Sequence, residues 1–256
     1  MAMPDRTPVL ALRSVAGRWF AIGVTWLLPR IFFRLRLERR ENLPAGACVL
    51  CFNHLNWIDP IVLLGALPTR PRLYFFGPKE EDMAVGGRNR LMGWSGTPVP
   101  YRPGNRGLVE AAHRVRDLLV TGSVLAVAGE GRIHAGERIV PPLQDGAAFF
   151  ALRNHVPLIP VSINGTGWLA FGRTVRVRIG EPIDTAAFEG ADAVARLSAA
   201  TRAGLEALVA DFPDRPPPGR FGRWLTEVFN DWPEGERPAV PPDRPPDPGP
   251  DVGAGD

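Results

Sequence analysis

The sequence predicts a single α/β domain in which a central, mostly parallel β-sheet is flanked by helices. Short apolar runs, typical of buried strands, alternate along the chain with segments of helical period. The chain has 256 residues, 45% of them hydrophobic and 22% charged, which suffices for one domain with a sizeable core. The two ends of the chain differ in composition and are predicted to be separate segments.

We expect boundaries near residues 40 and 212. Residues 1–40 are predicted to be an amphipathic segment with interfacial helices, residues 41–212 the main domain, and residues 213–256 a proline-rich tail. Twelve of the 28 prolines lie in this tail, which predicts a disordered or extended chain there. Within it, aromatic and aliphatic residues recur at helical spacing over 220–229 and predict one short docking helix.

The first 40 residues combine basic and apolar side chains. They carry eight arginines against two acids, a net charge of +6. Their longest apolar run, 19–29, is shorter than the roughly 20 residues that a membrane-spanning helix needs. Tryptophan and phenylalanine interleaved with arginine are typical of a helix lying in the membrane interface. We therefore expect peripheral or monotopic association with the cytoplasmic face of a membrane; the alternative is a pair of core-packing helices.

The elements of the main domain follow from local patterns. Continuous apolar runs predict buried strands, helical spacing predicts helices, and alternation over 174–179 predicts a strand with one solvent-exposed face. The predicted strands are 47–53, 72–76, a short piece ending at Arg102, 123–128, 158–163 and 174–179. The predicted helices are 60–67, 105–120, 146–153 and 191–212. Cys48 and Cys51 fall on opposite faces of the first strand, so they are interpreted as buried apolar residues.

The stretch from Asn53 to Pro60 carries the sharpest chemical signal. His54 ends a buried strand, and Asp59 stands immediately before Pro60 and an apolar helix. A strand–turn–helix junction can bring the carboxylate of Asp59 to one ring nitrogen of His54, which fixes the tautomer and raises the basicity of the ring. The other nitrogen can then accept a proton from an alcohol. The alternatives are a structural histidine and an aspartate that only caps the helix.

Three further segments follow in order. Arg102 comes directly after a short strand-like piece, and Glu130-Gly131-Arg132 follows a buried strand. A glycine there permits close approach of the backbone to a ligand. The third segment, 156–161, contains two prolines and leads into another buried strand. His134 lies in a loop near the second of these segments and is interpreted as an incidental loop residue, with a neighbour of the site as the alternative.

With these four blocks in this order, residues 41–185 resemble the glycerolipid acyltransferase family, which includes the 1-acylglycerol-3-phosphate acyltransferases. The His-x4-Asp block corresponds to His54 and Asp59. The third block departs from the commonest family form, because Gly129 stands in place of the usual proline and Arg132 directly follows Gly131. This departure leaves the headgroup preference open.

The resemblance implies roles for individual residues. His54 would be the general base on the acceptor hydroxyl, and Asp59 would orient it. The groups implied to hold the phosphate and glycerol region of the acceptor are Arg102, Glu130, Gly131 and Arg132. Pro157 and Pro160 would shape the acyl or acceptor pocket. Independently of the resemblance, Lys79 and backbone amides near Gly131 are candidates for stabilising the oxyanion; the alternative for Lys79 is an ordinary surface lysine.

The implied reaction moves a fatty acyl group from acyl-CoA or acyl-carrier protein to a lysophospholipid hydroxyl, with 1-acylglycerol-3-phosphate as the expected acceptor. Neither a metal nor a further cofactor is expected, because a base and oxyanion stabilisation suffice for thioester acyl transfer. Membrane lipids and the donor are the expected partners, with no nucleic acid. Two alternatives remain: another acceptor, such as glycerol-3-phosphate or a glycolipid, and a catalytically silent lipid-binding protein on the same fold.

Overall fold

The computed structural model describes residues 15–79, 93, 95–102, 104–213, 215, 218–230 and 232. The helices of this part of the chain are α1 (Val15–Phe32), α2 (Asp59–Ala66), α3 (Asn105–Val120), α4 (Gly146–Asn154), α5 (Ala193–Val209) and α6 (Arg220–Phe229). The strands are β1 (Arg34–Glu38), β2 (Cys48–Phe52), β3 (Leu73–Lys79), β4 (Pro98–Tyr101), β5 (Val124–Ala128), β6 (Leu158–Asn164) and β7 (Thr174–Ile179).

The strands form one sheet in the order β1-β7-β6-β2-β5-β3-β4. All neighbouring strands are parallel except β6 and β7, which are antiparallel. The predicted mostly parallel sheet with flanking helices is therefore confirmed. The carboxyl ends of β2 to β6 meet at one edge of the sheet, where ligands of parallel sheets commonly bind. We call this edge the carboxyl edge.

Helices cover both faces of the sheet. Leu50 of β2 points into a cluster that includes side chains of α2, and its neighbour Val49 points into a cluster with α3, α4 and α5. Both faces of β2 are consequently buried along its whole length. Cys48 and Cys51 are free, buried thiols on opposite faces, as the sequence predicts. Burial raises the pKa of Cys48 to about 12, so this thiol is unreactive at neutral pH.

The first helix packs on the second, and the contact is close. An ideal Cβ on Gly65 of α2 would lie 3.0 Å from the Cβ of Pro29 in α1. No helix among the described residues is both long and apolar enough to cross a bilayer. The short helix predicted at 220–229 is present as α6 with those bounds, and Leu225 packs it against the core.

Two details differ from the prediction. Arg34–Glu38 lies within the predicted interface segment, yet it forms β1 and pairs in parallel with β7. Its Arg-Leu alternation has the period of a strand, but its charge favoured the membrane interpretation.

The second difference is the expected solvent-exposed face of β7. Arg176 on that face is only 8% exposed, because the end of α5 and the residues after it cover the strand. Its guanidinium donates to Asp211 Oδ1 at 2.9 Å and to the carbonyl of Leu208 at 3.2 Å. An ion pair and a carbonyl thus satisfy an arginine that the alternating pattern alone would place in water.

Candidate active site

The candidate site is assembled at the carboxyl edge by the loops that follow β2, β5 and β6. His54 lies two residues after the end of β2, and Glu130 two residues after the end of β5. Because β5 and β6 flank β2 on its two sides, their loops are the immediate neighbours of His54. The topology of the sheet therefore places residues about 76 positions apart in the sequence next to one another.

His54 and Asp59 form the contact that the sequence predicts. The Nδ1 atom of His54 lies 3.0 Å from Oδ2 of Asp59. The carboxylate is fully buried, whereas the imidazole side chain is 17% exposed. With the Nδ1 proton donated to the carboxylate, Nε2 carries the lone pair. Among the described residues, Nε2 has no hydrogen-bond partner, so it is available to a substrate hydroxyl.

The contacts of Asp59 differ from those of an aspartate that only caps a helix. The cap position of α2 is Ile58, and no side chain caps the helix. Instead, Oδ2 of Asp59 accepts the amide protons of Leu55 and Asn56, at 2.7 and 2.8 Å, in addition to the histidine. The carboxylate therefore points back into the loop that carries His54 and fixes that loop around its own negative charge.

Three buried asparagines hold the same loop. Asn53 exchanges two hydrogen bonds with the backbone of Ile163 in β6, at 2.9 and 2.7 Å. Asn56 donates to the carbonyl of Thr166 at 3.0 Å. Asn230, which directly follows α6, accepts from the amide of Trp57 at 3.2 Å. The roles of Asn56 and Asn230 have no signature in the sequence, because each depends on contacts more than 100 residues away.

Glu130 turns into the protein. Its side chain is 3% exposed, and Oε2 accepts the amide proton of His54 at 3.1 Å. Its other oxygen lies 3.3 Å from Nε2 of His134, an ion-pair contact that lacks good hydrogen-bond geometry. The observed contacts of Glu130 therefore support the His54 loop, while the predicted contact with the acceptor stays a prediction.

His134 is part of the site rather than an incidental loop residue. It is 2% exposed, and its amide donates to the carbonyl of His54 at 3.0 Å. Burial by itself would lower the pKa of His134, but the carboxylate of Glu130 beside it raises the pKa above the ordinary value overall. The four-residue spacing between Glu130 and His134 is the only sequence signal for this pair.

Gly129 and Gly131 permit the tight turn that follows β5. Gly131 has a φ of +69°, and its amide donates to the carbonyl of Ala128 at 3.2 Å. That amide is therefore engaged within the turn, which weakens its candidacy as an oxyanion donor. An ideal Cβ on Gly129 would lie 2.8 Å from Sγ of Cys51, and its amide donates to Phe52 at 2.8 Å. A proline at 129 would lack this donor.

The predicted arginines lie on loops of the carboxyl edge. Arg132 is exposed next to Glu130, and Arg102 is exposed directly after β4. Three strand spacings separate β4 from β2, which corresponds to about 14 Å. Lys79 ends β3 opposite Tyr101 of β4, and its side chain lies outside the described part of the chain.

The two prolines that were predicted to shape the acyl or acceptor pocket do not lie beside His54. The carbonyl of Pro157 accepts from the amide of Val49, near the start of β2, so Pro157 lies at the opposite edge of the sheet. Pro160 is buried in β6, where its ring lies against Gly180 and Gly204. Their observed contacts are with the protein core, and their role in a substrate pocket stays a prediction.

The chain is similar to known acyltransferases. The family model for acyltransferases matches residues 34–164, about half of the chain. A chloroplastic 1-acyl-sn-glycerol-3-phosphate acyltransferase, BAT2, of Brassica napus is 26% identical over 155 residues, which are 60% of this chain and 42% of that protein. The chain thus spans about two fifths of the length of this curated relative.

A solved structure shares the fold. The crystal structure of the 1-acyl-sn-glycerophosphate (LPA) acyltransferase PlsC from Thermotoga maritima matches with a TM-score of 0.59 and 20% identity. The match covers 81% of this chain and 87% of that one. The family match contains His54, Asp59, Arg102 and the Glu130 loop, whereas α1, α5 and α6 lie outside it.

Proposed function

We propose that this chain, which belongs to the acyltransferase family, transfers a fatty acyl group from a thioester donor to the hydroxyl of a lysophospholipid. The observation that carries the proposal is the pairing of His54 Nδ1 with the buried carboxylate of Asp59, which leaves Nε2 open at the carboxyl edge. The preferred acceptor is 1-acylglycerol-3-phosphate, since relatives of this chain carry that activity in their names. The donor is acyl-CoA or acyl-carrier protein.

The proposed reaction begins with proton transfer. Nε2 of His54 takes the proton of the acceptor hydroxyl while the hydroxyl oxygen attacks the carbonyl carbon of the thioester. The carbon–sulfur bond then breaks, and the departing thiolate receives the proton from His54 to become a free thiol. The carboxylate of Asp59 stabilises the imidazolium that forms. Lys79 remains the candidate for stabilising the oxyanion.

Arg102 and Arg132 are proposed to hold the acceptor phosphate. Both are exposed on loops of the carboxyl edge, and a guanidinium donates two parallel hydrogen bonds to a phosphate. The apolar and basic N-terminal helix would keep the enzyme at the membrane surface where its acceptor resides.

The test offers the protein a panel of acceptors together with one acyl-CoA. The release of free thiol is measured for each acceptor. Lysophosphatidic acid should give the highest rate, above glycerol-3-phosphate and a glycolipid. His54→Ala should abolish acceptor-dependent thiol release, whereas His113→Ala, on an exposed surface of α3, should not. A folded wild-type protein that releases no thiol with any acceptor, from either acyl-CoA or acyl-carrier protein, would favour a silent lipid-binding protein. His54→Ala enzyme working at the wild-type rate would refute the mechanism.

A further inference from the structure

One side of α6 is docked and the other is exposed. Thr226 is fully buried, and an ideal Cβ on Gly222 would lie 2.5 Å from the carbonyl oxygen of Leu169. On the opposite side, Phe221 is 66%, Trp224 56% and Val228 50% exposed. These three residues stand at spacings of three and four, so they share one stripe of the helix.

The segment to which α6 is bound exposes a further apolar side chain. Thr226 of α6 accepts the amide proton of Leu169 at 2.8 Å, which ties the helix to the loop that presents Phe171. Phe171 is 73% exposed, and its ring lies 5.7 Å from that of Phe32 at the end of α1. Three adjoining segments thus expose apolar residues, and we call this set the apolar rim. Its members are Trp26, Leu27, Leu28 and Ile31 of α1, Phe171, and Phe221, Trp224 and Val228 of α6.

Basic groups accompany the apolar rim. Arg220 is exposed at the start of α6, and Arg30 lies over the ring of Trp26 at 3.8 Å in α1. The exposed acid on α6 is Glu227, so arginine outnumbers acid on both helices. Aromatic side chains bordered by arginine suit the boundary between lipid headgroups and acyl chains, and the positive charge suits anionic lipids.

We propose that α6 and the Phe171 loop form a second lipid-docking element beside α1, which seats the carboxyl edge against an anionic membrane surface. The inference rests on the proposed function, because an acceptor embedded in a membrane must reach His54 from that surface. The position of α6 fits this requirement, since Asn230 at its end contacts the loop that carries His54.

The test measures vesicle binding without any acyl substrate, so its outcome is independent of the proposed reaction. The double variant Phe221→Ser/Trp224→Ser is compared with wild type for cosedimentation with phosphatidylglycerol vesicles. Loss of two aromatic anchors should weaken binding by roughly tenfold or more. Val120→Ser, which changes a residue 80% exposed at the end of α3, should bind like wild type.

Thermal unfolding confirms that each variant is folded, and Phe171→Ser serves as a second variant if the double variant is not. Unchanged vesicle binding by the folded variants would overturn the proposal. A double variant that binds vesicles normally but no longer self-associates in sedimentation would also overturn it, and would assign the apolar rim to a second copy of the chain.

A separate observation concerns Asn230. Its side chain is 5% exposed, accepts the amide proton of Trp57 at 3.2 Å and donates to the carbonyl of Leu55 at 3.0 Å. Both groups belong to the stretch between His54 and Asp59. We infer that Asn230 is a positioning residue for the proposed reaction, which holds this stretch so that Asp59 faces His54. It lies outside the region of the family match.

Asn230→Asp keeps an acceptor for Trp57 but places a negative oxygen against the carbonyl of Leu55. We expect kcat to fall about tenfold with little change in KM as the His54–Asp59 contact loosens. Asn42→Leu is the control, since Asn42 makes one comparable bond to Ile179 away from the site.

The ¹⁵N shifts of the His54 ring report the same contact whether or not the acceptor is known, and they should change in Asn230→Asp but not in Asn42→Leu. If Asn230→Asp only lowers the unfolding temperature, as Asn42→Leu does, and leaves the ring shifts and kcat unchanged, the positioning role is refuted.

Discussion

Three donors converge on a single oxygen of Asp59, and two of them are amides of the loop that carries His54. Asparagine at this position can still accept hydrogen bonds but has no charge to stabilise an imidazolium. We expect Asp59→Asn to lower kcat/KM by about 10² to 10⁴-fold while the protein stays folded. Asp184→Asn is the matched control, because Asp184 only accepts from Ala186 at a short helical turn. A wild-type rate for Asp59→Asn would contradict the assigned role.

The pair of Glu130 and His134 makes stability depend on pH. Because the pKa of His134 is raised in the folded state, the folded protein holds this proton more tightly than the unfolded chain. This contribution is fully present below the ordinary pKa of 6.5 and is lost as the pH rises through the raised value. We expect the unfolding temperature to fall across that window.

Measurements of the unfolding temperature over the same pH range test whether His134 causes the decline. In His134→Gln the decline of the unfolding temperature with pH should flatten, whereas in His113→Gln, at an exposed position, it should persist. An unchanged pH dependence in His134→Gln would assign the effect to another group.

At the scale of elements, the turn from β6 into the following loop depends on Gly165. Its φ is +97°, and an ideal Cβ would lie 2.5 Å from the backbone oxygen of Thr174. Its amide also donates to Glu137 Oε2 at 2.8 Å, so the backbone has little room to move. We expect Gly165→Ala to lower the free energy of unfolding by about 2 kcal/mol or more in denaturant titrations.

The matched control is Gly146→Ala at the start of α4, where an added Cβ meets nothing within 4 Å. This variant should stay within about 1 kcal/mol of wild type. If both variants lost the same free energy of unfolding, the lack of space for a Cβ at Gly165 would not be the cause of the loss.

The elements that the sequence predicts well are those whose pattern is local. Buried strands such as β2 are continuous apolar runs, and the His54–Asp59 contact follows from a strand that ends seven residues before a helix begins. The rest depends on the tertiary fold. Residues 34–38 form a strand, but their charge favoured the prediction of a membrane-interface segment. The inward orientation of Glu130 depends on β5 lying beside β2. The role of Asn230 arises from a contact across 175 residues.

At the scale of the whole molecule, α1 contributes part of the apolar rim while β1 belongs to the sheet. Removing residues 1–40 would therefore delete a strand as well as a helix, and point substitutions test the membrane role better. Ile31 is 62% exposed, so Ile31→Ser should leave the unfolding temperature nearly unchanged. It should weaken binding to anionic vesicles, most clearly at low salt.

Val109→Ser on α3, 56% exposed, is the control and should bind vesicles like wild type. If the α1 variant and this control bound equally well at every salt concentration, α1 would have no part in docking.

The central strand β2 is made early, but both of its neighbours in the sheet, β5 and β6, come later in the chain. Asn230, which holds the loop after β2, comes later still. A nascent chain on the ribosome therefore carries His54 and Asp59 long before the partners that align them have been synthesised. The loop that bears the proposed base can reach its final geometry only once residue 230 has emerged, so the site is completed after all seven described strands have been made.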